Sequence, residues 1–201
     1  MGSSTMLDIV SSILIGGFLL LVAVRMDAQA TKNTYDSEAS LTVQENLTSL
    51  IENIEWDFRK IGYCKNPNLT EDPSLYVLFG DSDSIAFVAD LSNVGKLDTV
   101  RWWLGDSVAG SPNPNIRLLC RQVDESPTLS SNLGVTEFSL AFFDAFGQQI
   151  TPQYIGGSPA PPQLIQLTVK VEPTAAYDTA YSSNYAIWRQ TRLVSRNLKN
   201  R

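Results

Sequence analysis

Two cysteines, an Asp-Ser-Asp triplet, a Trp-Trp pair and one carboxylate at the mouth of an apolar run are the residues whose types could carry chemistry in this 201-residue chain. There is no histidine, which excludes His-ligated zinc and any Ser-His or Cys-His nucleophile. Cys64 and Cys120, flanked by Lys65, Arg117 and Arg121, are open to reactivity, metal binding or pairing. A disulfide is the expectation for a domain outside the cytoplasm, contributing roughly 3 to 4 kcal/mol for a loop of this length; two buried free thiols are the alternative. Asp81-Ser82-Asp83 has the first two acids of a calcium loop without its third acid, glycine or distant glutamate, and reads as a solvated turn. No nucleophile with a base, usable carboxylate pair or metal cluster stands out, so no catalytic residue, cofactor or metal is expected and the chain reads as a non-enzyme.

Trp102 and Trp103 could offer an aromatic surface to a sugar or a protein partner. Neighbours on a strand point to opposite faces, so one of the two belongs to the core and the other faces outward. Asn46-Leu47-Thr48 and Asn68-Leu69-Thr70 match a glycosylation acceptor, a pattern that also arises by chance. The net charge is −6, while residues 189–201 carry five cations and no acid. An acidic body repels phosphate backbones, so nucleic acid is not an expected partner.

Asp8 stands at the entrance to the apolar run. Residues 9–24 read IVSSILIGGFLLLVAV, uncharged, with Arg25 and Asp27 beyond. A hydrocarbon core needs about 20 helical residues, so Met6 and Leu7 must contribute or the bilayer must thin. Ala28-Gln29-Ala30 leaves a cleaved signal open, and the expectation is an uncleaved helix. A carboxylate at the mouth of such a helix is costly without a cation, unless it rests among headgroups as a cap. From Asp27 to Ile61 no proline or glycine intervenes. Leu47, Leu50, Ile51, Ile54, Phe58 and Ile61 form one apolar stripe at helical spacing. Gly62 is placed to end the helix and Pro67 forbids its return.

Beyond Cys64, residues 76–79, 84–91, 100–104, 116–123, 136–143, 164–172 and 186–194 are apolar or alternating, which predicts five to seven strands in a meander-like antiparallel sheet. Along 164–171 the odd positions are apolar and the even ones mostly polar, as in a sheet covered on one face by the amphipathic part of the helix. Residues 111–114 and 156–162, rich in proline and glycine, are expected to be surface loops. The fold class is therefore α+β: a long N-terminal helix packed on an antiparallel sheet domain. The boundaries are 1–3 as a possible leader, 4–28 as the membrane half of the helix, 29–62 as its amphipathic half, and 63–201 as the β-rich domain.

Ser4-Thr5-Met6-Leu7-Asp8 resembles the Phe-Thr-Leu-Ile-Glu start of mature type IV pilins and type II secretion pseudopilins. Asp57-Phe58-Arg59-Lys60-Ile61-Gly62-Tyr63, Gly134-Val135, Phe138 to Phe143, Asp144-Ala145-Phe146-Gly147, the strand from Pro162 to Val171 and the run from Trp188 to Asn197 are similar, in order, to the J-type minor pseudopilins and W-type minor pilins. The resemblance implies a pilin-like fold and a minor structural subunit of a pilus or secretion filament. It implies cleavage between Ser3 and Ser4 by a prepilin peptidase, methylation of the new N-terminus, and Asp8 pairing with the terminal amine of an adjoining subunit. The implied partners are other pilin-like subunits, the inner-membrane assembly machinery and, before assembly, membrane lipid. The implied location is the bacterial inner membrane, single-pass, with the C-terminal domain outside the cytoplasm. The alternative is a single-span envelope binding module that does not polymerise, with Trp102 or Trp103 as its contact.

Overall fold

The computed structural model describes residues 2–69, 72–150, 154–157, 162–174 and 187–193. The chain divides into two compact units, Met1–Leu41 and Thr42–Arg201. Helix α1, Gly2–Arg59, contributes to both.

In the first unit α1 has no buried face: every side chain from residue 6 to residue 35 is exposed. Met6, Leu7, Ile9, Ile13, Phe18 and Leu20 are among the exposed apolar groups. A helix apolar all round gains nothing from water and is stable only with lipid or protein around it. This one is long and apolar enough to be a candidate membrane span. Ser12 donates through Oγ to the carbonyl of Asp8 at 2.7 Å, so a polar side chain inside the apolar run is satisfied by its own helix.

In the second unit Val43, Leu47, Leu50, Ile51, Ile54 and Phe58 are buried and continue through Ile61, which is the expected stripe. Burial starts at Val43, not near residue 29, because residues 29–41 offer little beyond Tyr35 and Leu41 to bury. Each such side chain contributes roughly 1.5–3 kcal/mol on leaving water. The helix stops where Gly62 turns to φ 69°, with its amide donating to Val88 O at 2.9 Å. A Cβ at Gly62 would collide with the Tyr76 ring, so the turn requires glycine both for its backbone and for space.

Among the described residues ten strands come after it: β1 Val77–Gly80, β2 Ser84–Ala89, β3 Asp98–Ser107, β4 Arg117–Val123, β5 Leu129–Ser131, β6 Val135–Phe143, β7 Gln149–Ile150, β8 Tyr154–Ile155, β9 Leu164–Val171 and β10 Ile187–Leu193. They form two antiparallel sheets, ordered β5-β4-β3-β2-β1-β8 and β10-β9-β6-β7. The single meander expected from sequence is thus two sheets. Alternation marks the wet face of a strand but not its partner, and β5, β7 and β8 are too short for alternation to register. Ile85, Phe87, Val100, Trp102 and Leu119 from the first sheet, and Phe138, Leu140, Phe142, Leu167 and Val169 from the second, share one core with the α1 stripe.

Two loops are tied down by buried polar groups. The β3–β4 connection carries exposed Pro112 and Pro114, as expected of a surface loop, but Asn113 within it is buried and donates to Glu172 Oε2 at 2.9 Å. Lys170 holds the other oxygen of that carboxylate at 2.8 Å. Residues 158–161 of the second proline-rich run lie outside the described residues, as do the basic residues Arg196, Lys199 and Arg201.

Asp90, fully buried just past β2, fixes the loop after the helix to the β2–β3 connection. Its carboxylate accepts the amides of Lys65 at 3.1 Å, Val94 at 3.1 Å and Gly95 at 2.8 Å. Burial raises its pKa, and hydrogen bonds from the amides of Lys65, Gly95, Val94 and Asn93 outweigh that, leaving it below the ordinary carboxylate value. A folded pKa below the unfolded one, about 3.9, stabilises the fold at pH values above the unfolded value. That contribution is lost as pH falls from there through the folded pKa. Asp90→Asn is expected to be less stable than the parent at pH 7 and to lose less stability on acidification below pH ~4. Urea midpoints of both chains in detergent, taken from pH 7 downward, check this.

Candidate functional site

The charged group that joins helix to sheet is Asp57, only 1 % exposed on the inner side of α1. Its Oδ2 accepts Arg121 Nε at 2.6 Å and Trp102 Nε1 at 2.8 Å, and its Oδ1 accepts Arg121 Nη2 at 3.0 Å. Trp102 on β3 and Arg121 on β4 are register partners, so both point from the same face of the first sheet toward the helix. The bidentate pair and the indole N–H satisfy a carboxylate that would otherwise be stranded in the core. Arg121 keeps 24 % of its side chain exposed. Its Nη1 donates to nothing among the described residues.

Arg121 lines a groove of about 390 Å³. Leu50, Asn53, Trp56 and Asp57 of α1 line one side, and Leu119 and Arg121 line it from the first sheet. Leu129, Ser130 and Ser131 of the edge strand β5, with Leu133, form the other wall. Trp56 and Leu129 are 53 % and 64 % exposed. The Lys60 ammonium sits 3.7 Å from the Trp56 ring centroid and donates to Leu91 O at 2.9 Å, so the ring is held from one side.

A weaker link reaches α1 from the second sheet. Arg189 Nη2 lies 3.6 Å from Glu55 Oε1, and the same carboxylate takes Arg59 at 3.1 Å through its other oxygen. These pairs are more exposed and contribute less.

The residues singled out from sequence fall in several places. Asp8 is exposed in the first unit, and its carboxylate has no partner among the described residues. Ser3 and Ser4 lie in the backbone of α1. Trp102 is core, 5 % exposed, and is not a partner surface. Trp103 is half-buried on the outer face of the first sheet. Asp81-Ser82-Asp83 makes the β1–β2 turn, with Asp81 Oδ1 accepting the Ser82 amide and Asp81 N donating to Ser84 O at 2.8 Å. Asp144 accepts the amides of Phe146 and Gln148, each at 2.8 Å, in the turn that carries Gly147 at φ 77°.

Cys64 and Cys120 are free thiols, not the expected disulfide. Strand register explains the separation: Cys120 is level with Trp103 and Ser84, whereas Cys64 lies beside Asp90 past the other end of β2. That offset is roughly 20 Å at the rise of a strand, and a disulfide needs Cα atoms about 4.4–6.8 Å apart. Burial, followed by the nearby Asp106 charge, pushes the Cys120 thiol above its ordinary pKa, which keeps it unreactive.

In the sequence Asp57 stands out only within a helix-end motif, and Arg121 only as a cation beside Cys120. Nothing local signals a pair 64 residues apart. No protein-family model matches the chain, and no curated protein matches it.

In this geometry Arg121→Met strands a buried carboxylate and is expected to cost about 3–5 kcal/mol. Asp57→Leu combined with Arg121→Met is expected to cost less than Arg121→Met alone, which urea unfolding of the full chains in detergent measures. With the native chain, a maleimide should modify half-buried Cys64 and spare Cys120 until denaturant is added. Mass spectrometry without reductant reads both sites, and two unlabelled cysteines in denaturant would mean a bond.

Proposed function

We infer that the chain is a pilin-like minor structural subunit, assembling through its apolar N-terminal helix into a type IV pilus or type II secretion-like filament. The observation that carries this reading is Asp8: the one carboxylate on a helical face otherwise uncharged up to Arg25, exposed, and without a partner in its own chain among the described residues. A carboxylate in apolar surroundings requires a cation. The amine of a neighbouring subunit starting at Ser4 supplies one, and at an effective dielectric of 20 two charges 4 Å apart attract by about 4 kcal/mol, against about 1 in water. Aspartate is one methylene shorter than the glutamate usual in the family, so the amine must approach closer. The order of family-like segments, from the Ser4 start through the Asp57 helix end to the Asp144 turn, supports the same reading.

In this reading the helix first crosses the bacterial inner membrane, with the β domain outside the cytoplasm. It then leaves lipid for a bundle with other pilin-like subunits after a prepilin peptidase has acted. The chain performs no covalent chemistry.

Asp8→Ala tests it. The variant is expected to enter the membrane fraction like the parent and to lose crosslinked assemblies with neighbouring subunits in cells, while Asp8→Glu retains them. Parent-like assembly of Asp8→Ala contradicts the pairing. A parent chain that reaches the membrane and never crosslinks fits a single-span binding module instead.

A further inference from the structure

The groove between α1 and β5 has three properties that do not depend on the filament reading. Its sheet wall is an edge: β5 pairs with β4 on one side and with nothing among the described residues on the other. Leu129 and Ser130 are exposed there. The backbone groups of an edge strand are a template for another strand.

Its apolar surface is exposed and held in place. Leu129 shares the inner face with its register partner Arg121 and so projects toward the helix side. Trp56 faces it with one ring side already covered by Lys60. An exposed tryptophan with a cation over one ring face is the kind of large aromatic side chain that anchors partners.

Its unspent hydrogen-bonding capacity is on the donor side: the Arg121–Asp57 pair is neutral as a whole, but one guanidinium nitrogen is left over. Both oxygens of Asp57, the one carboxylate among the lining residues, are occupied, whereas Arg121 Nη1 has no acceptor among the described residues. The Lys60 ammonium lies at the Trp56 end. The groove therefore offers donors to an anion and has no free carboxylate to repel one.

We propose that this groove docks an extended, acidic segment of another protein chain, which adds as a strand beside β5, places an apolar side chain between Trp56 and Leu129, and sets a carboxylate on Arg121 Nη1. With β5 only three residues long, the ladder gives direction and the groove gives selectivity. The partner is defined by an apolar residue and an acid on one face of a short strand.

The test is selection of random twelve-residue peptides against the full chain in detergent, followed by binding of the enriched peptides measured by fluorescence anisotropy. Enriched peptides are expected to carry an apolar residue with an acid on the same strand face. They should lose affinity on N-methylation at alternate positions and bind Leu129→Ser about tenfold or more weakly. Leu129 is exposed, so this variant keeps the core; Trp56→Ser provides a second variant with the same expected loss. Replacing the peptide acid by its amide should weaken binding to the parent chain. Failure to enrich any peptide overturns the proposal, as does binding that survives both variants. If instead no peptide is enriched and Leu129→Ser abolishes self-association of the chain, the occupant is a second copy and the peptide proposal falls.

Discussion

The bond from Asp57 to Arg121 and Trp102 is the interaction on which the rest of the second unit depends. Hydrophobic contact would hold an amphipathic helix on a sheet over a range of rotations and slides, because dispersion and burial are non-directional. A bidentate guanidinium and an indole N–H fix one carboxylate at one point of the first sheet. Bringing these charges out of water has a cost that an apolar replacement avoids. What the pair adds is position: it sets which helix residues face the core and which rim the groove. Arg189 reaching Glu55 from β10 makes a second, more exposed attachment, so both sheets contact the helix through charge as well as through the core.

The same helix obeys two regimes. From Val43 onward its apolar side chains are buried in a stripe beside exposed Glu45, Glu52 and Trp56, the pattern of a surface helix in water. From Met6 to Val24 it is apolar on nearly all sides, interrupted by one acid and two serines. A segment of this kind belongs in lipid or in a bundle of similar helices, and the acid distinguishes the two. In lipid Asp8 must stay near the headgroups; in a bundle it can be met by a neighbouring amine. The structural-subunit reading rests on that difference, and it assigns the β domain the role of displaying surfaces outside the apolar assembly.

The α1 stripe was legible because helical spacing is a local signal: Leu47, Leu50, Ile51, Ile54, Phe58 and Ile61 are all buried as their spacing requires. Gly62 and the Asp144 turn were legible because φ near 70–80° and side-chain caps leave compositional marks. The long strands were visible through alternation. Their division into two sheets was not, since β8, two residues from late in the chain, joins the edge of β1 through a register that no local pattern encodes. The cysteines follow the same rule. Composition invites a pair, while the ladder sets Cys120 level with Ser84 and leaves Cys64 beside Asp90. Trp102 reads as surface or core with equal ease until its partner Asp57 is found across the helix interface.

If the apolar helix is an assembly element whose processed end meets Asp8 of a neighbour, the N-terminus of the native protein must carry the mark of that processing. Intact-mass and N-terminal peptide measurements on protein purified from its own membranes are expected to show a chain beginning at Ser4 with a methylated amine. A native chain still beginning at Met1 or Gly2 would contradict the assembly role.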